Sequence, residues 1–287
     1  MKCRALQLVA TSGGALGSKV RCCQHILRTL EGVVVAFSGG VDSTLLLALA
    51  AKTLGSPRVV AAIGLSPSLP EAEHRAAREL AEGIGVELVG VETREVENPA
   101  YAANPFNRCF HCKHELFTRL KDLADRRGLA AVVAGANADD LGDFRPGLEV
   151  GRLLGVRNPL LEAELTKEDV RRASREMGLP TWDKPAMACL ASRVPYGRPI
   201  TAAVLKRIES AEDFLRQRGF RACRLRDHET VVRIEVPAAD LPRMLEMREA
   251  VVSALVAAGY TYVTLDLQGL RSGSMNEVLR GADRVDN

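Results

Sequence analysis

The sequence predicts an α/β protein with a doubly wound parallel sheet and a smaller C-terminal α+β domain. Short apolar runs recur before residue 137, and such runs are typical of parallel strands buried on both faces. Amphipathic segments separate these runs, which is the pattern of βαβ units. Because βαβ crossovers are right-handed, the sheet is expected to be doubly wound. The pattern changes near residue 201, so we assign residues 1–198 to the larger domain and residues 199–287 to the smaller one.

Four strands with intervening helices are predicted for the larger domain. The strands are expected at residues 33–37, 58–65, 86–91 and 131–136. Helices are expected after residue 40, where an apolar run covers residues 45–51, and at residues 70–83, 112–127, 149–154 and 166–178. Pro70 and the acids after it are typical of a helix start, and Gly178 is typical of a helix end.

The smaller domain is predicted to contain two helices and three strands. The helices cover residues 202–219 and 241–258, the second being interrupted near Glu246. The strands cover residues 222–226, 231–236 and 260–267, the last with strict alternation of side chains.

The composition indicates a cytoplasmic globular protein. The 287 residues are 47% hydrophobic but only 4% aromatic, so aliphatic side chains must fill the core. The net charge of +3 gives no support to nucleic-acid binding. No run reaches the roughly 18 apolar residues that a membrane span needs, and the N-terminus lacks a convincing signal peptide. The seven cysteines, an odd number, point to reactive or metal-binding thiols rather than a disulfide framework.

A phosphate-binding loop is predicted where the first strand ends. Residues 38–44 read Ser-Gly-Gly-Val-Asp-Ser-Thr and lead directly into an apolar helix. Glycines let a ligand approach the backbone, and the unpaired N–H groups of a helix start attract anions. Ser38, Ser43 and Thr44 add hydroxyl groups, and Asp42 is a candidate Mg²⁺ ligand. The GxxxxGK[ST] spacing of the Walker loop is absent.

A second acidic loop follows the fourth strand. Asp139, Asp140 and Asp143 lie where ligands bind in such sheets, beyond the carboxyl ends of the strands. They are candidate Mg²⁺ ligands or ribose contacts, although Asn, Asp and Gly also form ordinary turns.

Cys109 and Cys112 form a CxxC pair at a predicted helix start. The helix dipole and the neighbouring Arg108 and Lys113 favour the thiolate form. Such a pair can bind zinc, ligate an iron–sulfur cluster or cycle between redox states. Zinc needs four ligands, and no second CxxC is present to complete the site. His111 could supply a ligand, but His111 and Lys113 could equally be ordinary helix residues.

Residues 179–197 form a long irregular segment that is too apolar for a linker. Segments of this kind in compact domains are usually functional. Cys189 is followed by Ser192 and Arg193, which could hold an anion beside the thiol. The alternative is a buried structural cysteine. Further along the chain, four arginines either bind a substrate phosphate or form a solvated face: Arg221, Arg224, Arg226 and Arg233.

The phosphate-loop motif resembles the PP-loop of ATP pyrophosphatases, which cleave ATP between the α- and β-phosphates. With residues 136–147 and 182–193, it makes the chain resemble the LarE family over about residues 33–267. That family comprises ATP-dependent sacrificial sulfur transferases that help to build the nickel-pincer nucleotide cofactor.

The resemblance implies that ATP activates a carboxylate of a pyridinium-3,5-dicarboxylate mononucleotide, which then becomes a thiocarboxylate. Sulfur would come from Cys189, which matches the sacrificed cysteine, while Lys113, Ser192 and Arg193 would orient phosphate or stabilise charge. Implied ATP contacts are Ala36, Ser38, Gly39, Gly40, Asp42, Ser43, Ile63, Gly135 and Asp140, with Mg²⁺ on Asp42. Implied substrate contacts are Glu212, Arg224, Arg226 and Glu235. The family also implies a homo-oligomer acting on a small nucleotide, with no nucleic-acid or membrane partner.

Cys109 and Cys112 depart from the single-cysteine pattern of the best-known branch. Family members with all three cysteines are associated with a [4Fe-4S] cluster, so Cys109, Cys112 and Cys189 are hypothesised to ligate one that carries the sulfur. Two other functions stay open: a PP-loop tRNA thiolase or amidating synthetase, and a nucleotide- or metal-binding regulator without turnover.

Overall fold

The computed structural model describes residues 14–142, 146–185, 188–271 and 274. The chain forms two compact units. The first contains the described parts of Met1–Glu95 and Asn107–Met187, and the second those of Val96–Phe106 and Ala188–Asn287. The predicted domain boundary after residue 198 stays a prediction.

Helices and strands alternate in the first unit and follow one another more irregularly in the second. The helices are α1 (Ala15–Arg28), α2 (Val41–Leu54), α3 (Glu71–Ile84), α4 (Pro99–Ala102), α5 (Arg108–Arg127), α6 (Pro146–Leu153), α7 (Pro159–Glu162), α8 (Lys167–Glu176), α9 (Ala202–Gln217), α10 (Leu241–Glu246) and α11 (Arg248–Ala257). The strands are β1 (Val33–Ala36), β2 (Val59–Leu65), β3 (Glu87–Glu92), β4 (Ala131–Ala134), β5 (Arg224–His228), β6 (Val231–Glu235) and β7 (Tyr262–Leu265).

The sheet of the first unit has the order β3-β2-β1-β4, and all its strands are parallel. Alternate residues of β1 face opposite sides. Val33 and Val35 belong to the core under α1, α2 and α8, whereas Val34 belongs to the core under α5. The predicted doubly wound α/β fold is therefore confirmed. In this sheet β1 lies between β2 and β4, so the end of β1 lies between the ends of those two strands.

The second unit is a small mixed sheet covered by helices. β5 and β6 are antiparallel, and β6 and β7 are parallel. Leu215 of α9 and Leu255 of α11 share the core of this unit with Leu225 and Ile234 of the sheet. This confirms the predicted α+β architecture, and the break between α10 and α11 at Met247 confirms the expected interruption.

Residues 96–106 join the second unit because Asn104 binds its backbone. The Asn104 amide donates to the carbonyl oxygens of Val194 and Pro195, at 3.2 and 2.7 Å. Gly197 N donates back to Asn104 O at 2.9 Å. Asn104 has φ +55°, a left-handed conformation that asparagine tolerates better than most residues.

Among the residues that the structure describes, no helix is both long and apolar enough to cross a membrane.

Candidate active site

The predicted phosphate loop lies between β1 and α2. Gly39 adopts φ +67°, and a Cβ added there would lie 3.3 Å from the Cβ of Ala77 on α3. Both the left-handed backbone and the close helix therefore favour glycine. Gly40 is the N-cap of α2 and has no side-chain partner for the helix N–H groups, so the helix start is left open for an anion.

Two serines hold the loop in shape. Ser43 Oγ donates to Gly40 O at 3.2 Å and accepts from Ser38 N at 3.3 Å. The Ser38 and Ser43 hydroxyl oxygens are 3.2 Å apart, and Gly40 N donates to Ser38 Oγ at 3.4 Å. Thr44, by contrast, is completely buried. Its hydroxyl is therefore not exposed at the loop, although the sequence suggested that it would be.

Asp42 is held by two donors that come from other parts of the first unit. Its Oδ1 accepts from Asn137 Nδ2 at 3.0 Å, and its Oδ2 forms an ion pair with the Lys167 ammonium. Asn137 follows β4, and Lys167 begins α8. The oxygen chemistry of Asp42 fits Mg²⁺, because both of its present partners are hydrogen donors that a cation can replace.

The second acidic loop holds the two residues that contact Asp42. Asp140 Oδ2 accepts from Asn137 N at 2.9 Å, and Asp139 Oδ2 accepts from Lys167 N at 2.9 Å. The two carboxylates therefore fix the residues that contact Asp42. Asp143, the third predicted carboxylate, lies outside the described residues.

Lys184 also contacts the phosphate loop. Its ammonium donates to Gly39 O at 3.2 Å and to Glu73 Oε2 at 2.9 Å. Arg171 of α8 fixes this segment by donating to the carbonyl oxygens of Trp182 and Lys184, at 2.8 and 3.0 Å.

Two predicted ATP contacts lie in neighbouring strands, and a third follows a strand. Ala36 ends β1, and Ile63 is buried in β2. Gly135 follows β4, where an added Cβ would lie 2.9 Å from Ser43 N and 3.0 Å from the carbonyl carbon of Asp42. Only glycine allows this strand end to approach the start of α2 so closely.

Helix α5 carries the CxxC pair and starts earlier than predicted. It begins at Arg108, so Cys109 and Cys112 both lie inside its first turns. Neither thiol is in a disulfide; Cys109 is exposed and Cys112 partly exposed. The Lys113 ammonium lies 5.5 Å from the Phe117 ring centre. These three residues are brought together on one element, as the sequence indicated.

Cys189 belongs to the second unit and is exposed. It precedes a short 3₁₀ turn at Leu190–Arg193. Ser192 Oγ donates to Cys189 O at 2.8 Å, and Arg193 Nη1 donates to Ala188 O and Cys189 O at 2.6 and 3.1 Å. The thiol is therefore accessible while its backbone is fixed, which excludes the buried structural cysteine.

Two buried ion pairs support this turn. The Arg193 guanidinium makes two bonds to the Glu212 carboxylate, at 2.8 and 3.0 Å. Arg226 makes two bonds to Glu235, at 3.0 and 2.8 Å, and donates to Ser192 O at 2.8 Å. All four side chains are at most 2% exposed, so Arg226 is not part of a solvated face.

Arg224 donates a hydrogen bond to a neutral group, the carbonyl oxygen of Arg271, at 3.3 Å. Burial, followed by the positive charges of Arg226 and Arg193, lowers the pKa of Arg224 from its usual value. A half-buried guanidinium of this kind is suited to an anionic ligand.

Cys23 and Cys223 are poor nucleophiles. Burial raises the pKa of Cys23 to about 12, and the nearby Glu162 carboxylate contributes. Burial also raises the pKa of Cys223 to about 12, with a contribution from Glu212. Both thiols therefore stay protonated at neutral pH. Among the free cysteines that the structure describes, the exposed or partly exposed ones are Cys109, Cys112 and Cys189.

Comparison with known proteins connects this geometry to a family. The NAD synthase family model matches residues 19–114. An uncharacterised protein of Synechocystis sp. is 41% identical over 266 residues, which cover 92% of this chain and 99% of that protein. The pyridinium-3,5-bisthiocarboxylic acid mononucleotide synthase of Lactiplantibacillus plantarum is 38% identical over 267 residues, or 93% of this chain and 97% of the synthase. The chain belongs to the LarE family.

Membership of the LarE family confirms the resemblance seen in the sequence. The NAD synthase match covers the phosphate loop, and the chain is therefore an ATP-dependent PP-loop enzyme that uses Mg²⁺. An uncharacterised protein of Methanocaldococcus jannaschii is a more distant relative, 27% identical over 240 residues, 84% of this chain and 91% of that protein.

Sequence reasoning missed Lys167, Lys184 and Asn137. The sequence predicts helix α8 but assigns it no role at the site, yet α8 supplies Lys167 to Asp42 and holds the Lys184 segment through Arg171. The available signal was a lysine at the first position of a helix, where acidic residues are favoured.

Among the described residues, no group of three or more His, Cys, Asp or Glu side chains is arranged to hold a metal ion.

Replacing Gly135 with alanine is expected to weaken ATP binding about tenfold and to cost about 1–3 kcal/mol of stability, because the new methyl group displaces the start of α2. Titration calorimetry with ATP and thermal unfolding measure the two effects. Gly83→Ala is the matched control, because an added Cβ there meets nothing within 4 Å. Equal ATP affinity in both variants would show that the close approach is not required.

Proposed function

We propose that the protein adenylylates a carboxylate of a pyridinium-3,5-dicarboxylate mononucleotide and converts it to a thiocarboxylate. The observation that carries this proposal is the 38% identity to a pyridinium-3,5-bisthiocarboxylic acid mononucleotide synthase over 93% of the chain. A match of that extent spans both the phosphate loop and Cys189.

The first step is activation by ATP. A substrate carboxylate oxygen attacks the α-phosphorus, the bond to the β-phosphate breaks, and pyrophosphate leaves. The open start of α2 and the lack of side chains at Gly39 and Gly40 suit the anionic phosphates. Asp42 is the residue that would hold Mg²⁺, which supplies charge neutralisation for the leaving pyrophosphate. The product, an acyl adenylate, is a much better electrophile than a carboxylate.

The second step transfers sulfur from Cys189. The thiolate attacks the acyl carbon and AMP leaves, giving a thioester between substrate and protein. Loss of the Cys189 Cα proton to a base then breaks the Cβ–Sγ bond. The substrate keeps the sulfur as a thiocarboxylate, and the residue becomes dehydroalanine. The fixed turn and the exposed thiol favour this role for Cys189. Lys113, Ser192 and Arg193 remain the candidates for orienting groups and stabilising charge.

An iron–sulfur cluster is the alternative sulfur source. Thiolates are suitable iron ligands, but the first unit contributes Cys109 and Cys112, and the second contributes Cys189. Neither unit by itself supplies three accessible thiols among the described residues. Cys109→Ser and Cys112→Ser test this alternative. Retention of iron content and anaerobic sulfur transfer in both variants would eliminate the cluster.

The decisive experiment is the intact mass of anaerobically purified protein before and after turnover with ATP and the pyridinium substrate. We expect the protein to lose the mass of H₂S, mapped by peptide analysis to Cys189, in proportion to the thiocarboxylate formed. An unchanged mass with continuing thiocarboxylate formation would assign the sulfur to a cluster or persulfide. Absence of AMP, pyrophosphate and thiocarboxylate would overturn the proposed function itself.

A further inference from the structure

The ion pair between Asp42 and Lys167 occupies the carboxylate that Mg²⁺ would bind. Lys167 contacts Oδ2, and Asn137 donates to Oδ1 at 3.0 Å, so both oxygens have a hydrogen donor. The pair is accessible to ligands: Lys167 is 34% and Asp42 21% exposed. A ligand can therefore reach and exchange this ion pair without opening the core.

The position of Lys167 is fixed by its own helix. Its backbone N–H donates to Asp139, and α8 starts with a reciprocal capping box between Thr166 and Asp169. A cation at the first position of a helix opposes the helix dipole. Local helix stability therefore does not account for the lysine, whereas its contact with Asp42 does.

Mg²⁺ and the Lys167 ammonium cannot use the same oxygen of Asp42 together. Mg²⁺ requires oxygen ligands at about 2.0–2.1 Å, which leaves no space for an ammonium bonded to that oxygen. ATP brings several negative charges to the adjacent start of α2. When the metal takes the carboxylate, the displaced ammonium therefore has a new anionic partner close by.

We propose that Lys167 neutralises Asp42 in the free enzyme and transfers to the phosphate oxygens of ATP when Mg²⁺ takes the carboxylate. The residue thus acts as an exchangeable cation of the pyrophosphate site. This inference rests on the proposed function only in requiring that ATP bind at the loop. Lys184 is a second ammonium at the loop, but it donates to Gly39 O and pairs with Glu73 rather than with Asp42.

The test compares Lys167→Met with wild type in two binding measurements on the full chain. The first is Mn²⁺ binding without nucleotide, followed by the electron paramagnetic resonance signal of free Mn²⁺. We expect about fivefold tighter binding in the variant, because no ammonium competes for Asp42. The second is calorimetric binding of ATP in EDTA. We expect about tenfold weaker binding, because a phosphate contact is lost.

Lys19→Met is the matched control. Lys19 pairs with Asp169 of the same helix at 2.6 Å, and the two side chains are 31% and 21% exposed, nearly as in the Asp42 pair. The control therefore removes one ammonium and one anchor of α8 without touching the loop. We expect both affinities to stay within about twofold of wild type, as usual for a partly exposed surface pair.

Tighter Mn²⁺ binding together with weaker metal-free ATP binding, seen only in Lys167→Met, supports the exchange. Unchanged Mn²⁺ affinity would show that the ammonium does not compete for Asp42, and unchanged ATP affinity would show that it does not reach the phosphates. Either result overturns the inference. Neither measurement involves Cys189 or the pyridinium substrate, so failure of the sulfur-transfer proposal would be separate.

Discussion

Cys189→Ser is expected to reduce thiocarboxylate formation by about 10³-fold or more, because a serine hydroxyl is a far weaker nucleophile than a thiolate. The pyrophosphate exchange reaction, which reports activation of the carboxylate by ATP, should change by no more than about twofold. The reason is that exchange requires only formation of the adenylate, whereas the Cys189 thiol acts after the adenylate has formed. Product analysis and radiolabelled pyrophosphate exchange measure the two steps separately.

Cys223→Ala is the control for loss of a thiol in the same unit. Cys223 is buried, and burial raises its pKa to about 12, so we expect thiocarboxylate formation to continue. Sulfur transfer by Cys189→Ser at a rate close to wild type would exclude Cys189 both as the sulfur donor and as a required cluster ligand.

The phosphate loop was predictable because its information is local. A strand, two glycines, two serines and a helix start follow one another within residues 33–54, and each has its own sequence signature. The parallel sheet was predictable for a similar reason, since buried strands and amphipathic helices alternate along the chain.

The lysines around the loop were not predictable from local pattern. Lys167 is separated from Asp42 by 125 positions, and Lys184 from Gly39 by 145. A helix start with a threonine N-cap, two early acids and one lysine has the same sequence signature whether or not the lysine contacts a distant carboxylate. The assignment of residues 96–106 to the second unit could not be predicted for the same reason. It depends on distant contacts such as those of Asn104 with Val194 and Pro195.

The buried arginines show a third limit of sequence reasoning. Arg226 lies in a short, largely charged strand between Leu225 and Asp227, and the sequence left a solvated face open for it. The structure instead pairs its side chain with Glu235 on β6. In the strand register Glu235 lies opposite Arg224, whereas Arg226 itself lies opposite Arg233. Charge compensation between strands is invisible until their register is known. The substrate contacts expected for Glu212, Arg226 and Glu235 stay predictions. The Arg193–Glu212 and Arg226–Glu235 pairs support the turn that carries Cys189.

Glu235→Gln is expected to destabilise the protein by about 3–5 kcal/mol, because it leaves the Arg226 guanidinium buried without its counter-charge. Denaturant unfolding measures this loss. Asp213→Asn is the matched control: Asp213 pairs with Arg216 at 2.7 Å but is 40% exposed, so we expect a change of at most about 1 kcal/mol. Similar losses in the two variants would show that burial of the Arg226–Glu235 pair has no special weight.

A double variant separates stability from the positioning of Cys189. Arg226→Met with Glu235→Leu replaces the buried pair by apolar side chains and is expected to recover most of the lost stability. It cannot restore the bond from Arg226 to Ser192 O, which supports the Cys189 turn. We therefore expect the alkylation rate of Cys189, measured by mass spectrometry without substrate, to differ from wild type even when the double variant has recovered its stability. Recovery of both stability and the wild-type alkylation rate would make the pair a scaffold only, whereas recovery of stability alone would show that its charges hold the reactive thiol in place.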